Sequence, residues 1–264
     1  ESPMAAGGRR LLAIALFACT LGAEDTCDVG GETLGSGAMF DKIFERYDLI
    51  NRVMSLGMDQ SWRRELVQAL ELRRGDSVLD LATGTADVAI LEAQAEPGAK
   101  VLGIDPSAKM VGRGREKVQG LDLGEQVTLR VGDAMNLQDI ESGSFDKLSM
   151  AFGIRNIPDR PLALREMRRV VRDSPDSRVA ILEFTEPQGG ILQFCARMMI
   201  RYVLPRLGAL LSGKWDEYMH LQDSIAAFPS ATDFADVMEK ANLKVLQVEE
   251  MMFSSVILYV ASPR

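Results

Sequence analysis

The sequence predicts an α/β fold built on a doubly wound, mostly parallel β-sheet. Short apolar segments with the length of buried strands recur along the chain, and segments of helical pattern precede and separate them. Such alternation is typical of a parallel sheet. A tight glycine turn follows the first of these strands, and the next two strands end in aspartate. The final two strands follow each other closely, so we expect an antiparallel pair at the C-terminal end.

Residues 1–23 are predicted to be a targeting segment outside the fold. Arg9 and Arg10 precede a short apolar run that ends in small residues, which is typical of a secretory signal and too short to span a bilayer comfortably. A membrane-proximal anchor or a buried helix is the alternative interpretation. Residues 24–38 are acidic and rich in glycine, and we interpret them as a flexible linker to one domain over residues 39–264.

Within this domain the hydrophobic pattern assigns each element. Helices are predicted over residues 39–70, 87–95 and 160–171. Strands are predicted over residues 78–82, 101–104, 127–131, 145–152 and 178–184, and the terminal pair over residues 244–250 and 254–261. The N-terminal helices and residues 190–240 are expected to be helical insertions that cover the substrate.

Composition excludes several classes of function. The formal net charge is −8 at pH 7 and the sequence pI is about 4.9, which argues against a basic surface for nucleic acid. The arginines within residues 165–172 are interpreted as the solvated face of a helix. The chain has three cysteines without a CxxC pair and one histidine, His220. A zinc site or a Ser-His-Asp triad therefore lacks its usual residues.

The turn Gly84-Thr85-Ala86 is a candidate ligand site. Glycine lets the backbone pass close to a ligand, and amides at the start of a helix can bind it. The turn is not a dinucleotide fingerprint, because Ala86 fills the second glycine position and the third glycine is absent. It is not a phosphate loop either, because no Gly-Lys-Ser/Thr follows. A plain connection from strand to helix is the alternative.

Aspartates at the next two strand ends favour a nucleoside ligand. Asp105 ends the second strand, where a carboxylate can accept hydrogen bonds from both ribose hydroxyls. Asp133 ends the third strand, and with the amide of Ala134 it can contact an adenine edge. Either aspartate alone can be a helix N-cap. Together with the glycine turn, the two favour a nucleoside without pyrophosphate, namely S-adenosylmethionine (SAM).

Three blocks of the sequence resemble one known family. They are Met39 to Asn51, the motif Phe152-Gly153-Ile154-Arg155-Asn156 followed by Leu182-Glu183-Phe184, and the stretch from Glu217-Tyr218 to Ser224-Ile225-Ala226-Ala227-Phe228-Pro229. The family is the UbiE-type C-methyltransferases of ubiquinone and menaquinone biosynthesis, whose blocks occur in this order. The resemblance implies a Rossmann-like class I methyltransferase fold. It also implies SAM-dependent C-methylation of a polyprenylated or phytylated quinol ring.

The same resemblance implies roles for individual residues. Arg155 and Asn156 fall on the catalytic motif that faces the acceptor. The implied cofactor-binding residues are Gly84, Thr85, Ala86, Asp105, Pro106, Met110, Asp133, Ala134 and Ala151. The implied substrate-binding residues are Tyr47, Asn51, Phe152 and Tyr218, and no metal is implied.

The chemistry of methyl transfer gives Arg155 a role in stabilising charge. Transfer from a sulfonium is an in-line displacement, so the protein mainly positions donor and acceptor. A quinol carbon becomes a better nucleophile when a neighbouring phenol loses its proton, and a cation stabilises the phenolate. Because arginine is a poor base, we expect Arg155 to stabilise the phenolate and, with Asn156, to hold a water that carries the proton. The alternative is a structural ion pair of Arg155 with Asp159 or Glu183.

Residues 191–211 combine hydrophobic residues and methionines with interspersed arginines. This pattern suits a flexible lipid ligand and an anionic membrane surface, although a helix packed on the sheet fits it equally well. We therefore expect a polyprenyl quinol substrate, peripheral membrane contact, no nucleic acid partner, and either a homodimer or a quinone-biosynthesis complex. The expected location is organellar, at the mitochondrial inner membrane or in the plastid, with a secretory-like N-terminal segment. Two other functions stay open: methylation of another small aromatic or lipid acceptor, and a non-catalytic SAM-binding scaffold of a quinone-synthesis complex.

Overall fold

A computed structural model describes residues 28–29, 32–33, 37, 41, 47–55, 57–203, 206 and 222–264. The predicted targeting segment, residues 1–23, lies outside the described residues. Within the predicted linker, Asp28–Val29 (β1) and Glu32–Thr33 (β2) pair as a short antiparallel ladder.

The core of the molecule is a seven-stranded sheet in the order β5-β4-β3-β6-β7-β9-β8. Its strands are Ser77–Leu81 (β3), Lys100–Asp105 (β4), Val127–Val131 (β5), Lys147–Ala151 (β6), Arg178–Phe184 (β7), Leu243–Met251 (β8) and Val256–Pro263 (β9). Strands β3 to β7 are mutually parallel, and β9 is antiparallel to both of its neighbours. The predicted mostly parallel sheet with an antiparallel C-terminal pair is confirmed.

The described helices are Tyr47–Met54 (α1), Asp59–Ala69 (α2), Asp87–Ala95 (α3), Ala108–Gly120 (α4), Arg160–Val170 (α5), Ile191–Met198 (α6) and Ala231–Lys240 (α7). Those that pack on the sheet cover both of its faces. Alternate residues of β3 contribute to opposite cores, because Val78 packs with α3 and α4 whereas Leu79 packs with α5 and α7. Helix α2 shares the α3 and α4 side, where it packs on β7 and β9.

The strand order places a ligand position between β3 and β6. Strand β3 is bordered by β4 on one side and β6 on the other, so the order of the strands reverses at this point. In open α/β sheets, ligands bind beyond the carboxyl ends of the strands at such a reversal. The glycine turn follows β3, and the Phe152 to Asn156 motif follows β6.

Several element bounds match the prediction, and two differences have a physical reason. Helix α3 and strands β5 and β7 have the predicted bounds. Strand β6 is shorter than predicted, because Phe145 forms only an isolated bridge to Val171 and Phe152 has a left-handed φ of 58° that ends the strand. Helix α4 was not predicted: Gly112, Gly114 and Gly120 weaken its helical pattern.

The predicted helical insertion at residues 190–240 is described in part. Helix α6 continues as a π-helix over Met199–Val203, residues 222–226 are helical, and α7 closes the segment. Among the helices that the structure describes, none combines the length and the apolar character needed to cross a membrane.

Candidate active site

The turn after β3 is held in a left-handed conformation. Ala82, Gly84 and Ala86 have φ values of 52°, 55° and 68°, a region that favours glycine. Ala86 is the residue before α3 and is fully buried. A Cβ built on Gly84 would meet no atom within 4 Å, so the middle of the turn borders open space. A ligand can approach the backbone from that space.

Asp105 joins the turn after β3 to the turn after β4. Its Oδ2 accepts the Gly84 amide at 2.9 Å, and its Oδ1 accepts the Ser107 amide at 2.8 Å. Burial raises the pKa of this carboxyl to about 6, and the two hydrogen bonds offset the effect only in part. Ser107, and not Asp105, caps α4 by accepting the amide of Met110. The carboxylate keeps lone pairs for further donors such as hydroxyls.

The remaining predicted cofactor residues lie on the neighbouring strand ends. Asp133 is half-buried, and its Oδ1 accepts the Met135 amide at 2.8 Å in a turn, so it does not cap a helix. Ala134 is 9% exposed. Pro106 follows Asp105 directly and is half-buried, whereas the Met110 side chain is almost fully buried in α4. Ala151 is the half-buried last residue of β6.

Thr85 has a side chain that is already fully bonded within the protein. Its Oγ1 donates to Asp48 Oδ1 at 2.6 Å and accepts from Lys117 Nζ at 3.1 Å. The Lys117 ammonium also contacts Asp48 Oδ2 at 3.0 Å and a carboxylate oxygen of Asp87. The backbone of Thr85 is therefore what this residue offers to a ligand.

The motif after β6 is strained and tightly packed. Phe152 adopts a φ of 58°, which is unfavourable for a bulky residue. Its ring stacks on Phe184 at a centroid distance of 4.6 Å and meets the edge of Trp62 at 6.4 Å. A Cβ on Gly153 would lie 2.5 Å from the Cβ of Ala82, so this glycine brings the turn after β6 against the turn after β3.

Arg155 is buried and ion-paired, but only one edge of its guanidinium is used. Nη1 donates to Glu183 Oε1 and to the Phe152 carbonyl, each at 2.6 Å, and the Arg155 amide donates to Glu183 Oε2 at 3.1 Å. The ion pair of Arg155 with Glu183, the alternative role considered for this arginine, is thus formed. Nε is buried without a partner, and Nη2 donates to no residue in the described part of the chain. This planar pair of donors makes no hydrogen bond within the described part of the chain.

The other predicted substrate residues are placed less completely. The Asn156 side chain is 9% exposed and makes no hydrogen bond to the described chain. Tyr47 is the first residue of α1, and Asn51 is half-buried in the same helix. Tyr218 and His220 lie outside the described residues. The structure thus brings the strand-end residues together. The catalytic role of Asn156 and the substrate-binding roles of Tyr47, Asn51 and Tyr218 stay predictions.

Sequence reasoning missed an acidic pair beside the glycine turn. Asp80 in β3 accepts hydrogen bonds from Thr83 Oγ1 at 2.6 Å and Ser149 Oγ at 2.9 Å, and burial raises its pKa to about 7. Glu92 in α3 is fully buried, and neither of its carboxylate oxygens has a hydrogen-bond partner. Burial, followed by the charge of Asp80, raises the pKa of Glu92 well above its usual range. An aspartate within an apolar strand was the available signal for this pair.

The residues at these strand ends fit an adenosyl cofactor. Gly84 borders open space, and Asp105 presents a buried carboxylate between two turns. Such a carboxylate suits ribose hydroxyls, which are hydrogen-bond donors. In the part of the chain that the structure describes, no group of three or more His, Cys, Asp or Glu side chains could hold a metal ion.

Comparison with known proteins supports the same ligand. Residues 30–262 match the ubiE/COQ5 methyltransferase family. A demethylmenaquinone methyltransferase of Bacillus cereus (strain ATCC 10987 / NRS 248) is 38% identical over 223 residues, which cover 81% of this chain and 90% of that protein. A demethylmenaquinone methyltransferase of Bacillus anthracis (strain A0248) matches with the same identity and coverage.

Two solved structures share the fold. A SAM-dependent methyltransferase from Aquifex aeolicus aligns with a TM-score of 0.57 and 18% identity, over 81% of this chain and 96% of that one. A geranyl diphosphate C-methyltransferase from Streptomyces coelicolor A3(2) aligns with a TM-score of 0.58 and 13% identity, over 78% of this chain and 79% of that one. At these identities the likeness concerns the fold, and it confirms the Rossmann-like class I architecture.

Proposed function

The chain belongs to the ubiE/COQ5 methyltransferase family, and on this premise we propose that it methylates a ring carbon of demethylmenaquinol. The chain is a SAM-dependent C-methyltransferase of quinone biosynthesis, as the sequence predicted. The Bacillus relatives are demethylmenaquinone methyltransferases, which favours this ring over the benzoquinol of the ubiquinone branch.

The three strand-end turns are suited to hold the cofactor. SAM supplies an electrophilic methyl group when it is bound. The Asp105 carboxylate can accept the ribose hydroxyls, and the Gly84 to Ala86 turn offers backbone close to open space. The Asp133 side chain and the Ala134 amide are available for the adenine, because only one oxygen of Asp133 is used within the turn.

The observation that carries the proposal is the unused edge of Arg155. Nε and Nη2 lie on the same side of a planar guanidinium, so together they can bind one oxygen of a quinol or a water beside it. Glu183 holds the opposite edge and keeps the buried cation paired. Arg155 therefore acts as an oriented hydrogen-bond donor to developing phenolate charge rather than as an unpaired cation.

The proton balance follows from this arrangement. The bond that forms joins the ring carbon to the methyl group, and the bond that breaks joins that methyl group to sulfur. The phenol that activates the carbon gives up its proton to a water hydrogen-bonded by Asn156 and the free edge of Arg155. After the transfer, the ring carbon releases its own hydrogen as a proton and the oxygen takes a proton back from the same water as aromaticity returns, so one proton leaves to solvent for each methyl group transferred. Arginine itself stays protonated throughout.

The Arg155→Lys variant tests this role. Lysine keeps the charge for Glu183 but lacks the planar second pair of donors. Loss of one well-placed donor to developing negative charge typically lowers kcat by about 10²- to 10³-fold, so we expect a decrease of that order with an unchanged Kd for SAM. Transfer of labelled methyl from SAM to demethylmenaquinol, with a demethylated benzoquinol as the competing acceptor, provides the measurement.

Arg169→Lys is the matched control. Arg169 is a half-buried arginine that is paired with Glu166 on α5, and it is not part of the site. We expect this variant to retain near wild-type turnover. If SAM binds but label enters neither quinol, the proposed quinol acceptor is wrong. The protein is then a methyltransferase of another acceptor or a non-catalytic SAM-binding scaffold. If Arg155→Lys turns over normally, the free edge has no part in the reaction.

The exposed face of α6 supports peripheral membrane contact. Ile191, Leu192 and Phe194 are 82%, 60% and 55% exposed, and Met198, Met199 and Tyr202 continue the same apolar surface. Arg197, Arg201 and Arg206 supply positive charge nearby. Exposed apolar side chains next to cations suit an anionic lipid surface. Their exposure argues against the alternative of a helix buried on the sheet and supports the proposed membrane contact.

Sedimentation with vesicles tests the membrane proposal. An Ile191→Ser, Phe194→Ser double variant should lose most of its binding to vesicles that contain anionic phospholipid. Leu246→Ser on β8 also removes an exposed apolar side chain, and it should bind like the wild type. Equal binding of all three proteins would contradict the proposal. An organellar location, a homodimer and a quinone-biosynthesis complex stay predictions, for which fractionation of cells and analytical ultracentrifugation are the measurements.

A further inference from the structure

The N-terminal segment makes two polar ties to the turns that carry the cofactor residues. Asp48 in α1 accepts from Thr85 in the turn after β3, at 2.6 Å. Asp41 accepts from Ser107 Oγ, in the turn after β4, at 2.5 Å. The backbone of residue 37 lies on the same turn, since a Cβ on Gly37 would be 2.6 Å from the Ser107 nitrogen. We call Asp41, Asp48, Thr85, Ser107 and Lys117 the N-terminal clasp.

Lys117 is the centre of the first tie. Its ammonium has three hydrogens, and its three acceptors are Asp48, Asp87 and Thr85. The Thr85 hydroxyl in turn donates to Asp48 and accepts from Lys117, so both of its hydrogen-bonding roles are used inside the clasp. The side chains of Lys117, Asp48 and Asp87 are 23%, 34% and 20% exposed, which leaves the charges only partly screened.

The clasp is bonded to the two turns that carry the proposed cofactor residues. Thr85 lies between Gly84 and Ala86, and Ser107 lies two residues after Asp105, whose carboxylate takes the Ser107 amide. Asp105 also accepts a hydrogen bond from the Gly84 amide, so one carboxylate already joins the two turns. Asp48 adds a tie to the first of these turns and Asp41 adds one to the second.

We propose that Lys117 and Asp48 are positioning residues that keep the N-terminal segment fastened to the two cofactor turns and thereby slow the dissociation of the cofactor and its demethylated product. The Thr85 side chain then bonds only within the clasp, and only the Thr85 backbone contacts the cofactor. The proposal does not depend on the identity of the quinol, because cofactor exchange is measured without an acceptor. It requires only that SAM binds at the turns after β3 and β4.

Lys117→Met is the test variant, because methionine keeps the length of the side chain and removes the three donors. S-adenosylhomocysteine is the probe, and its Kd and dissociation rate are measured by calorimetry and by stopped-flow displacement. A part-exposed charge network is typically worth about 1 kcal/mol, so we expect the dissociation rate and the Kd to rise about fivefold. The kcat at saturating SAM should stay constant or increase, while the KM for SAM rises.

Three further proteins separate this role from a general loss of stability. Lys117→Arg keeps a cation and should restore most of the lost affinity. Arg113→Met removes a different cation from the same helix, whose partner Glu116 is exposed, and it should bind like the wild type. Asp48→Asn should weaken binding as Lys117→Met does, and the double variant should be no weaker than either single one. A lower Tm with unchanged dissociation rate and Kd in Lys117→Met and Asp48→Asn would overturn the proposal.

Discussion

Three of the nine described residues other than glycine that have a left-handed φ lie at the strand ends that build the site. Ala82 and Ala86 after β3 and Phe152 after β6 all have φ values between 50° and 70°. Such a conformation costs an alanine or a phenylalanine about 1 kcal/mol or more. The aromatic contacts of Phe152 with Trp62 and Phe184 offset part of that cost. Sequence could not predict these conformations, because only glycine signals them by its identity.

The contact between Gly153 and Ala82 gives a prediction about stability. Gly153→Ala would place a methyl group 2.5 Å from the Ala82 Cβ, where one of the two turns must shift. Overpacking of this kind typically costs about 1 to 3 kcal/mol, so we expect the free energy of unfolding in urea to fall by about that amount. Methyl transfer should fall as well, because the shift displaces Arg155 relative to the turn after β3.

The second substitution Ala82→Gly should rescue this variant. It removes the clashing methyl group and also relieves the left-handed alanine, so stability should return to near the wild-type value. As a matched control, Gly112→Ala lies in α4 with no atom within 4 Å of the added Cβ. It should raise stability by about 0.5 to 1 kcal/mol. A stable Gly153→Ala protein would show that the turns do not touch as described.

At the scale of elements, β3 and α3 each carry a buried carboxyl group, and the charge of the one on β3 acts on the one on α3. Asp80 and Glu92 are almost fully buried, and burial raises the pKa of each, that of Asp80 to about 7. A folded-state pKa above the unfolded value means that the folded protein binds the proton more tightly. The contribution to stability is therefore complete below the unfolded pKa of about 4, and it is lost as pH rises through the raised, folded-state values.

The Glu92→Gln variant tests the contribution of Glu92 to this pH dependence. Glutamine imitates the protonated glutamate, so its contribution does not depend on pH. We expect the stability of the variant, relative to that of the wild type, to increase from pH 5 to pH 8 in urea denaturation. Glu116→Gln changes an exposed glutamate on α4 and should show no such trend relative to the wild type. A parallel pH dependence of Glu92→Gln and the wild type would mean that Glu92 is ionised in the folded protein.

Elements with an unbroken local pattern could be predicted from the sequence, and those that depend on distant contacts could not. The bounds of α3 and β7 follow from largely apolar stretches, and those of β5 follow from alternating apolar and polar residues. Helix α4 has three glycines and is fixed by the Ser107 cap and by packing of Val111 and Val118 on the sheet. At such a helix, tertiary packing overrides the low helix propensity of glycine. The local sequence pattern gives no information on that packing.

At the scale of the whole molecule, the site exists only because the sheet brings three strand ends together. The sequence could predict the strand-end residues Gly84, Asp105 and Asp133, since a parallel sheet places such ends on one edge. It could not predict that Thr85 would be bonded to Asp48 and Lys117, or that Glu183 would hold one edge of Arg155. Those pairs are separated by long stretches of chain, and nothing local specifies them.

The same assembly makes cofactor binding depend on pH through Asp105. Burial raises the pKa of its carboxyl to about 6, so the group is ionised above that pH and protonated below it. The ionised form is the stronger acceptor for ribose hydroxyls. We therefore expect the Kd of S-adenosylhomocysteine to be constant above pH 7 and to rise by up to about tenfold towards pH 5, one unit below the pKa. Asp105→Asn should bind more weakly with little change over this range. A wild-type Kd that is the same at pH 5 and pH 7.5 would remove Asp105 from the cofactor site, because none of its protons would then be linked to binding.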